Sequence, residues 1–336
     1  MRAAHMSRFG ASSLQRVSTV AMLSVISLGC GSGDVGGAAD AGGDGGAAAV
    51  SDAQKALVGA FQVKLVPATG TAKARTTVLG SVKDGPTPVL VNWKEQASSG
   101  DCKLLVPDVP VCDPACAGEA CVGEGSCQAY PKSVDVGAVD VHGLATSAGD
   151  KKFQMSAIGG FYQPAGVTLQ HPAVAEGGDI RVVAAGSGDI APFELATKGI
   201  AALELTSEPI ALDGAKSRKL TWKAPAVTGS SVDVKVDISH HGGTKGLVTC
   251  ETDDDGELEL AGALLKGLFE LGVAGFPAIT VTRSRTATTP QGRGDVRLAV
   301  VSAVQQDVVV PGVISCNSDA DCPKGRACSN ALLKCE

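Results

Sequence analysis

Five cysteines crowded into one stretch, Cys102, Cys112, Cys116, Cys121 and Cys127, are the side chains of this sequence best placed to do chemistry. Thiols at such density either hold a metal or crosslink in an oxidising compartment. Structural zinc sites commonly draw their ligands from knuckles with two residues between cysteines, whereas the gaps here are nine, three, four and five. Crosslinking is the better reading. The sequence holds 11 cysteines; setting Cys30 aside leaves this cluster, the solitary Cys250, and Cys316, Cys322, Cys328 and Cys335 near the end. Complete pairing requires one bridge from the cluster to Cys250, and Cys102, farthest from the tight knot, is the expected partner. Four cysteines then remain in each group, and each set of four admits three connectivities, which sequence leaves open. A bridge closing a loop of nearly 150 residues removes about 5 kcal/mol of unfolded-chain entropy in the loop-closure model.

Other reactive side chains are sparse. Beyond the first few residues the histidines are His142, His171, His240 and His241. The last two follow an alternating strand-like run and, with Asp253, Asp254 or Asp255, offer metal-ligand atoms. Adjacent residues on a strand point to opposite faces, so both rings on one ion would need the backbone to leave strand geometry. An exposed loop is the plainer account. The run Asp253-Asp254-Asp255-Gly256-Glu257 and the Asn317, Asp319, Asp321 spacing supply oxygens of the kind calcium takes. In the second, Cys322 and Cys328 stand where an EF-type loop wants glycine and a bidentate glutamate, so polar turns are expected at both places. There is no Gly-x-Ser-x-Gly, HExxH or GK[ST] pattern, and no cofactor is implied. A secreted hydrolase with a site on inter-strand loops is the alternative to a non-catalytic role.

Charge narrows the partners. The sequence has 29 basic and 35 acidic residues, and without the leader's Arg2, Arg8 and Arg16 the balance is about −9. Such a surface repels nucleic acid and anionic lipid headgroups. Trp93, Trp222, Tyr130 and Tyr162 are the only large amphipathic rings available for stacking on sugars.

These residues must be positioned by strands. Ser231 to Ser239 (SVDVKVDIS), Ala60 to Val66 and Ala278 to Arg283 alternate apolar and polar residues with period two, the mark of half-buried strands. Further strands are expected at Thr87 to Trp93, Val134 to Val141, Lys152 to Tyr162, Ile180 to Ala184, Ile200 to Leu205, Lys219 to Trp222, Gly246 to Cys250 and Val296 to Val301. Glycine, proline and aspartate separate them. The fold class is therefore mainly β, an antiparallel β-sandwich body of one large or two small domains. Leu260, Leu264, Leu268 and Leu271 recur at helical spacing, which predicts one short helix over Leu258 to Gly272.

The N-terminal residues read as an export signal. Three arginines precede an apolar run, Val17 to Leu28, which at 12 residues is too short to span a bilayer and long enough for a signal-peptide core. It ends in Ser27-Leu28-Gly29-Cys30. These residues resemble the lipobox of bacterial lipoproteins, although Ser27 stands where that family usually has leucine. The resemblance implies cleavage after Gly29 and acylation of Cys30. Gly31 and Ser32 lack the aspartate of inner-membrane retention, so in a cell with two membranes delivery to the outer membrane is implied. Contact with the membrane would be through the lipid alone, with a protein or cell-envelope component as the possible partner.

The expected organisation is a signal peptide over 1–29, a Gly/Ala/Asp tether over 30–50, a body over 51–313 and a cysteine-rich module over 314–336. Nothing in the tether can bury a core, and its length spans roughly 25 Å root-mean-square. LTWKAP, VDVKVDI, Leu247 to Cys250, the DDDGE turn and the leucine-rich helix together resemble a β-sandwich module of uncharacterised bacterial lipoproteins. The tail is too small for a core of its own and is similar in spacing to the N-terminal Dickkopf region and EGF-like repeats. That likeness implies a spacer or protein-binding element.

Overall fold

In the computed structural model the described residues are 57–188, 190–207, 210–238, 244–288 and 294–336. The leader, Cys30, the tether, His240 and His241 lie outside them.

In chain order the strands are β1 (Leu57–Val66), β2 (Arg75–Lys83), β3 (Asn92–Ser99), β4 (Cys102–Asp108), β5 (Ala120–Gly123), β6 (Ser126–Gln128), β7 (Val139–His142), β8 (Lys152–Ile158), β9 (Phe161–Gln163) and β10 (Asp179–Ala184). There follow β11 (Phe193–Lys198), β12 (Arg218–Thr221), β13 (Ser231–Asp237), β14 (Leu247–Asp253), β15 (Glu257–Leu260), the helix α1 (Gly262–Glu270), β16 (Ala278–Thr288), β17 (Gly294–Asp307), β18 (Cys328–Ser329) and β19 (Lys334–Cys335). Thirteen strands form one sheet in the order β11-β10-β7-β8-β9-β2-β1-β17-β16-β13-β14-β4-β3. Every neighbouring pair is antiparallel except β1 with β17. No hairpin joins those two, and a long excursion of chain between them leaves their relative direction free.

Two hydrophobic cores lie along this sheet. In the first, Phe61, Val63 and Leu65 of β1 meet Val139, Val141, Met155, Ile180 and Val182, so the β7-β8-β10-β11 layer closes over β1, β2 and β17 as a sandwich. In the second, α1, β12 and β15 cover β13, β14, β4 and β16 through Leu264, Leu265, Leu268, Leu220, Trp222 and Val234. Strand β17 serves both, giving Val296, Leu298 and Val300 to the first and Val304 to the second. Each fully buried aliphatic side chain contributes about 1.5–3 kcal/mol, so the alternation seen in the sequence is the main source of stability. The outward positions of the first layer carry matched charges, Asp140 with Lys152 at 3.1 Å and Asp179 with Lys198 at 2.8 Å, which keep that surface in water.

Phe61 and Tyr162 pack with ring centroids 5.8 Å apart. A Cβ on Gly80 would stand 2.3 Å from the Phe61 ring, so the sheet needs glycine there. The buried Tyr162 hydroxyl donates to Asp135 Oδ1 at 2.8 Å and accepts from the Val136 amide at 2.7 Å. Burial, and beyond it the Asp135 charge, pushes this phenol up to about 12.

Five expectations are corrected. Val134 to Ala138 is irregular and strand begins only at Val139, while Lys152 to Tyr162 is broken at Gly159 and Gly160, both at positive φ, into β8 and β9. Thr87 to Val91 is irregular and strand begins only at Asn92, because Pro86 and Pro88 remove ladder donors. Ile200 to Leu205 is no strand either: it threads between the two cores, where side chains take up its polar groups. The helix starts at Gly262 and not at Leu258, since Leu258 and Leu260 face the second core from β15, paired with β12. Gly272, with φ of 99°, ends the helix as expected.

Candidate functional site

The described cysteines form five disulfides. Cys102 pairs with Cys250, directly opposite it on β4 and β14, and both are buried. Cys112–Cys121 and Cys116–Cys127 close the finger around β5 and β6, and Cys316–Cys328 and Cys322–Cys335 close the tail. The long bridge clips the outer pair β4-β3 to the body. The tail is not a loose appendage. The Gly275 amide donates to Leu332 O, and Ser315 Oγ donates to Gly275 O at 2.6 Å, which seats the module on the chain that leaves α1.

The most developed polar site is one the motif search missed. Arg283, fully buried on β16, faces the carboxylate of Asp254 with both side chains sealed from water. Its Nε donates to Oδ2, and Nη2 donates to Oδ1 at 2.9 Å and to Lys223 O at 2.7 Å. Nη1 donates to Ala201 O and Ala202 O at 3.3 and 3.2 Å. All five donor hydrogens are thereby engaged. Asp254 also accepts from Trp222 Nε1 at 2.8 Å and from Ser230 Oγ at 2.6 Å. Burial alone would raise the Asp254 carboxyl, but the hydrogen bonds from Arg283, Ser230 and Trp222 outweigh it and hold the group below the usual carboxylate range. The node joins β16, the turn after β14, the end of β12, the 201–202 linker and the approach to β13. One signal was present in the sequence: Arg283 occupies the next inward position after Ile279 and Val281, where an arginine requires a buried partner.

This arrangement removes Asp254 from any cation site on the acidic turn. Asp255 accepts from the Glu257 amide at 3.2 Å. In the tail, Asp321 Oδ2 accepts from the Asn317 and Ser318 amides and Asp319 Oδ1 accepts from the Cys328 amide. Those carboxylates shape turns. His171 Nδ1 lies 3.2 Å from the Thr76 hydroxyl beneath the first core, while His142 sits on β7 between Arg181 and Lys152 of the neighbouring strands. The structure brings these two histidines to no common site. Trp222 is in the second core and Tyr162 in the first, so neither offers a ring face for sugar stacking; Tyr130 is exposed.

Among the described residues a cleft of about 720 Å³ opens where α1, the 213–215 turn and the 310–313 segment meet the tail. Phe269, Val273, Val310 and Val313 form its apolar wall, and Asp213, Lys266 and Lys334 are its charged lining. The lysines are paired outward, Lys266 with Glu270 at 3.8 Å and Lys334 with Glu336 at 3.4 Å. No histidine, serine or cysteine lines it. No helix of the described residues is long and apolar enough to cross a membrane.

No protein-family model matches the sequence, and neither does any curated protein. Among solved structures, the chain is similar to one described as the crystal structure of a tetra-tandem repeat in the extending region of a large adhesion protein. The identity is 13%, 77% of this chain and 76% of that one are covered, and the TM-score is 0.19, a level that carries no functional argument.

Proposed function

We propose that this chain is a lipid-anchored protein of the bacterial cell envelope, acylated on Cys30, whose disulfide-braced β body acts without catalysis as a binding or structural module. The observation that carries this reading is the pairing of all ten cysteines of the described residues, the buried Cys102 and Cys250 among them. Such a set is retained in oxidising compartments and reduced in the cytosol, and the arginine-led apolar leader before Cys30 supplies the route out. The Gly/Ala/Asp tether holds the body clear of the headgroups, and two or more acyl chains make the attachment stable where one would not. Gly31 and Ser32, in place of the aspartate of inner-membrane retention, favour the outer membrane as the destination in a cell with two membranes.

The test is metabolic labelling with a lipid precursor in a bacterial host. The wild-type chain takes up label and sediments with membranes, whereas Cys30→Ala takes up none and is found in the soluble fraction. Label retained by Cys30→Ala would end the anchoring reading.

A further inference from the structure

Asp233 on β13 stands directly opposite Glu251 on β14, on the sheet face away from the second core. Directly opposed residues of an antiparallel pair bring their Cβ atoms to about 4.5–5.5 Å, so like charges there repel. The surroundings do not compensate. From β14 the groups on this face are Thr249, Glu251 and Asp253; from β16 they are Thr280, Thr282 and Ser284, hydroxyls only. Along its own strand the cation is Lys235, whose Nζ is 3.3 Å from Asp237. Across β14, Lys103 of β4 is 3.1 Å from Glu95, and Asp101, whose carbonyl accepts from the Glu251 amide, adds a further carboxylate that accepts from the Thr252 hydroxyl. Neither Asp233 nor Glu251 has an ion-pair partner among the described residues, and Asp233, in mid-sheet, is half-buried.

We propose that Asp233, set directly opposite Glu251, forms a pH-sensitive joint between β13 and β14, which holds while the Asp233 carboxyl keeps its proton in mild acid and loosens when that group ionises. Burial first, and the Glu251 charge second, push the Asp233 carboxyl up to about 6. A carboxyl raised on folding favours the folded state while it holds its proton. Its contribution is therefore complete below the unfolded value near 4 and is lost as pH rises through about 6. The sign is opposite to that of Asp254. The joint also adjoins the Cys102–Cys250 clip, since Glu251 follows Cys250.

The experiment is urea unfolding of the oxidised protein from pH 4 to 7.5, comparing wild type with Asp233→Asn and Glu251→Gln. Relative to Asp233→Asn, the unfolding constant of wild type should rise about tenfold or more across that range, the half-exposed carboxyl being partly screened by water. Glu251→Gln should show a smaller rise, because burial of Asp233 persists. A ratio of wild type to Asp233→Asn that is flat with pH overturns the proposal. If Asp233→Asn fails to fold, the Asp233 carboxyl carbon is followed by NMR in wild type and Glu251→Gln. An inflection near 6 that falls in the variant supports the joint, and an inflection near 4 in both overturns it.

Discussion

Replacing Arg283 with methionine lowers the stability of the oxidised protein by about 3–5 kcal/mol, because Asp254 is then a buried carboxylate with no countercharge. Loss on that scale shifts the thermal midpoint of a domain this size by roughly 10 °C. Asp254→Ala is at least as damaging, since it orphans the guanidinium and releases Trp222 Nε1 and Ser230 Oγ as well. The informative comparison is the double variant Arg283→Met with Asp254→Leu. Removing both charges together recovers much of the loss, as an apolar pair of similar volume avoids desolvating two ions. Urea denaturation of the three variants measures this, and single variants that unfold at the wild-type midpoint would show that the node contributes nothing. The pH dependence follows from the lowered Asp254 value. The pair's contribution is complete above the unfolded carboxylate value near 4 and drains away as pH falls through the lower folded value. Wild type therefore loses this stability in strong acid, whereas the double variant has none of it to lose.

The second large effect belongs to the Cys102–Cys250 bridge. Its two cysteines are 148 residues apart, and opening it by Cys102→Ala with Cys250→Ala restores about 5 kcal/mol of unfolded-chain entropy in the loop-closure model. The measured loss is expected at about 2–5 kcal/mol, with a wider opening of β3 and β4, whose backbone pairing to the rest of the sheet runs through β14 alone. Removing Cys316–Cys328, which closes only 12 residues, has a different outcome. The tail loosens while the main transition stays where it was, because neither core depends on it. Non-reducing denaturation curves distinguish the two cases. Equal effects from both deletions would mean that the long clip does not brace the body.

Much of this architecture follows from local pattern. Period two in β1, β13 and β16 specified their inward faces, since a strand with alternating polarity has one way to lie on a core. The even number of cysteines after Cys30 and the isolation of Cys250 singled out the bridge across the body, because a lone thiol far from its cluster must pair at long range. What local pattern lacked was any record of neighbours. Leu258 and Leu260 fit a helix and a strand equally well, and pairing with β12 chose the strand. Ile200 to Leu205 has strand composition, but the place between two cores that it fills is created by segments far away in sequence.

The same division holds for the polar sites. By itself the sequence determined which residues were on offer: arginines and an apolar run before Cys30, ten further cysteines, and an excess of acidic side chains. Only the tertiary structure decided how they are used. It turned Asp254 inward to Arg283, set Asp233 against Glu251, and placed the tail beside α1 to form a cleft. The physical reason is range. Polarity alternation and backbone propensity act over a few residues and are written along the chain, whereas a buried charge or an opposed pair takes its energy from groups that only folding brings near.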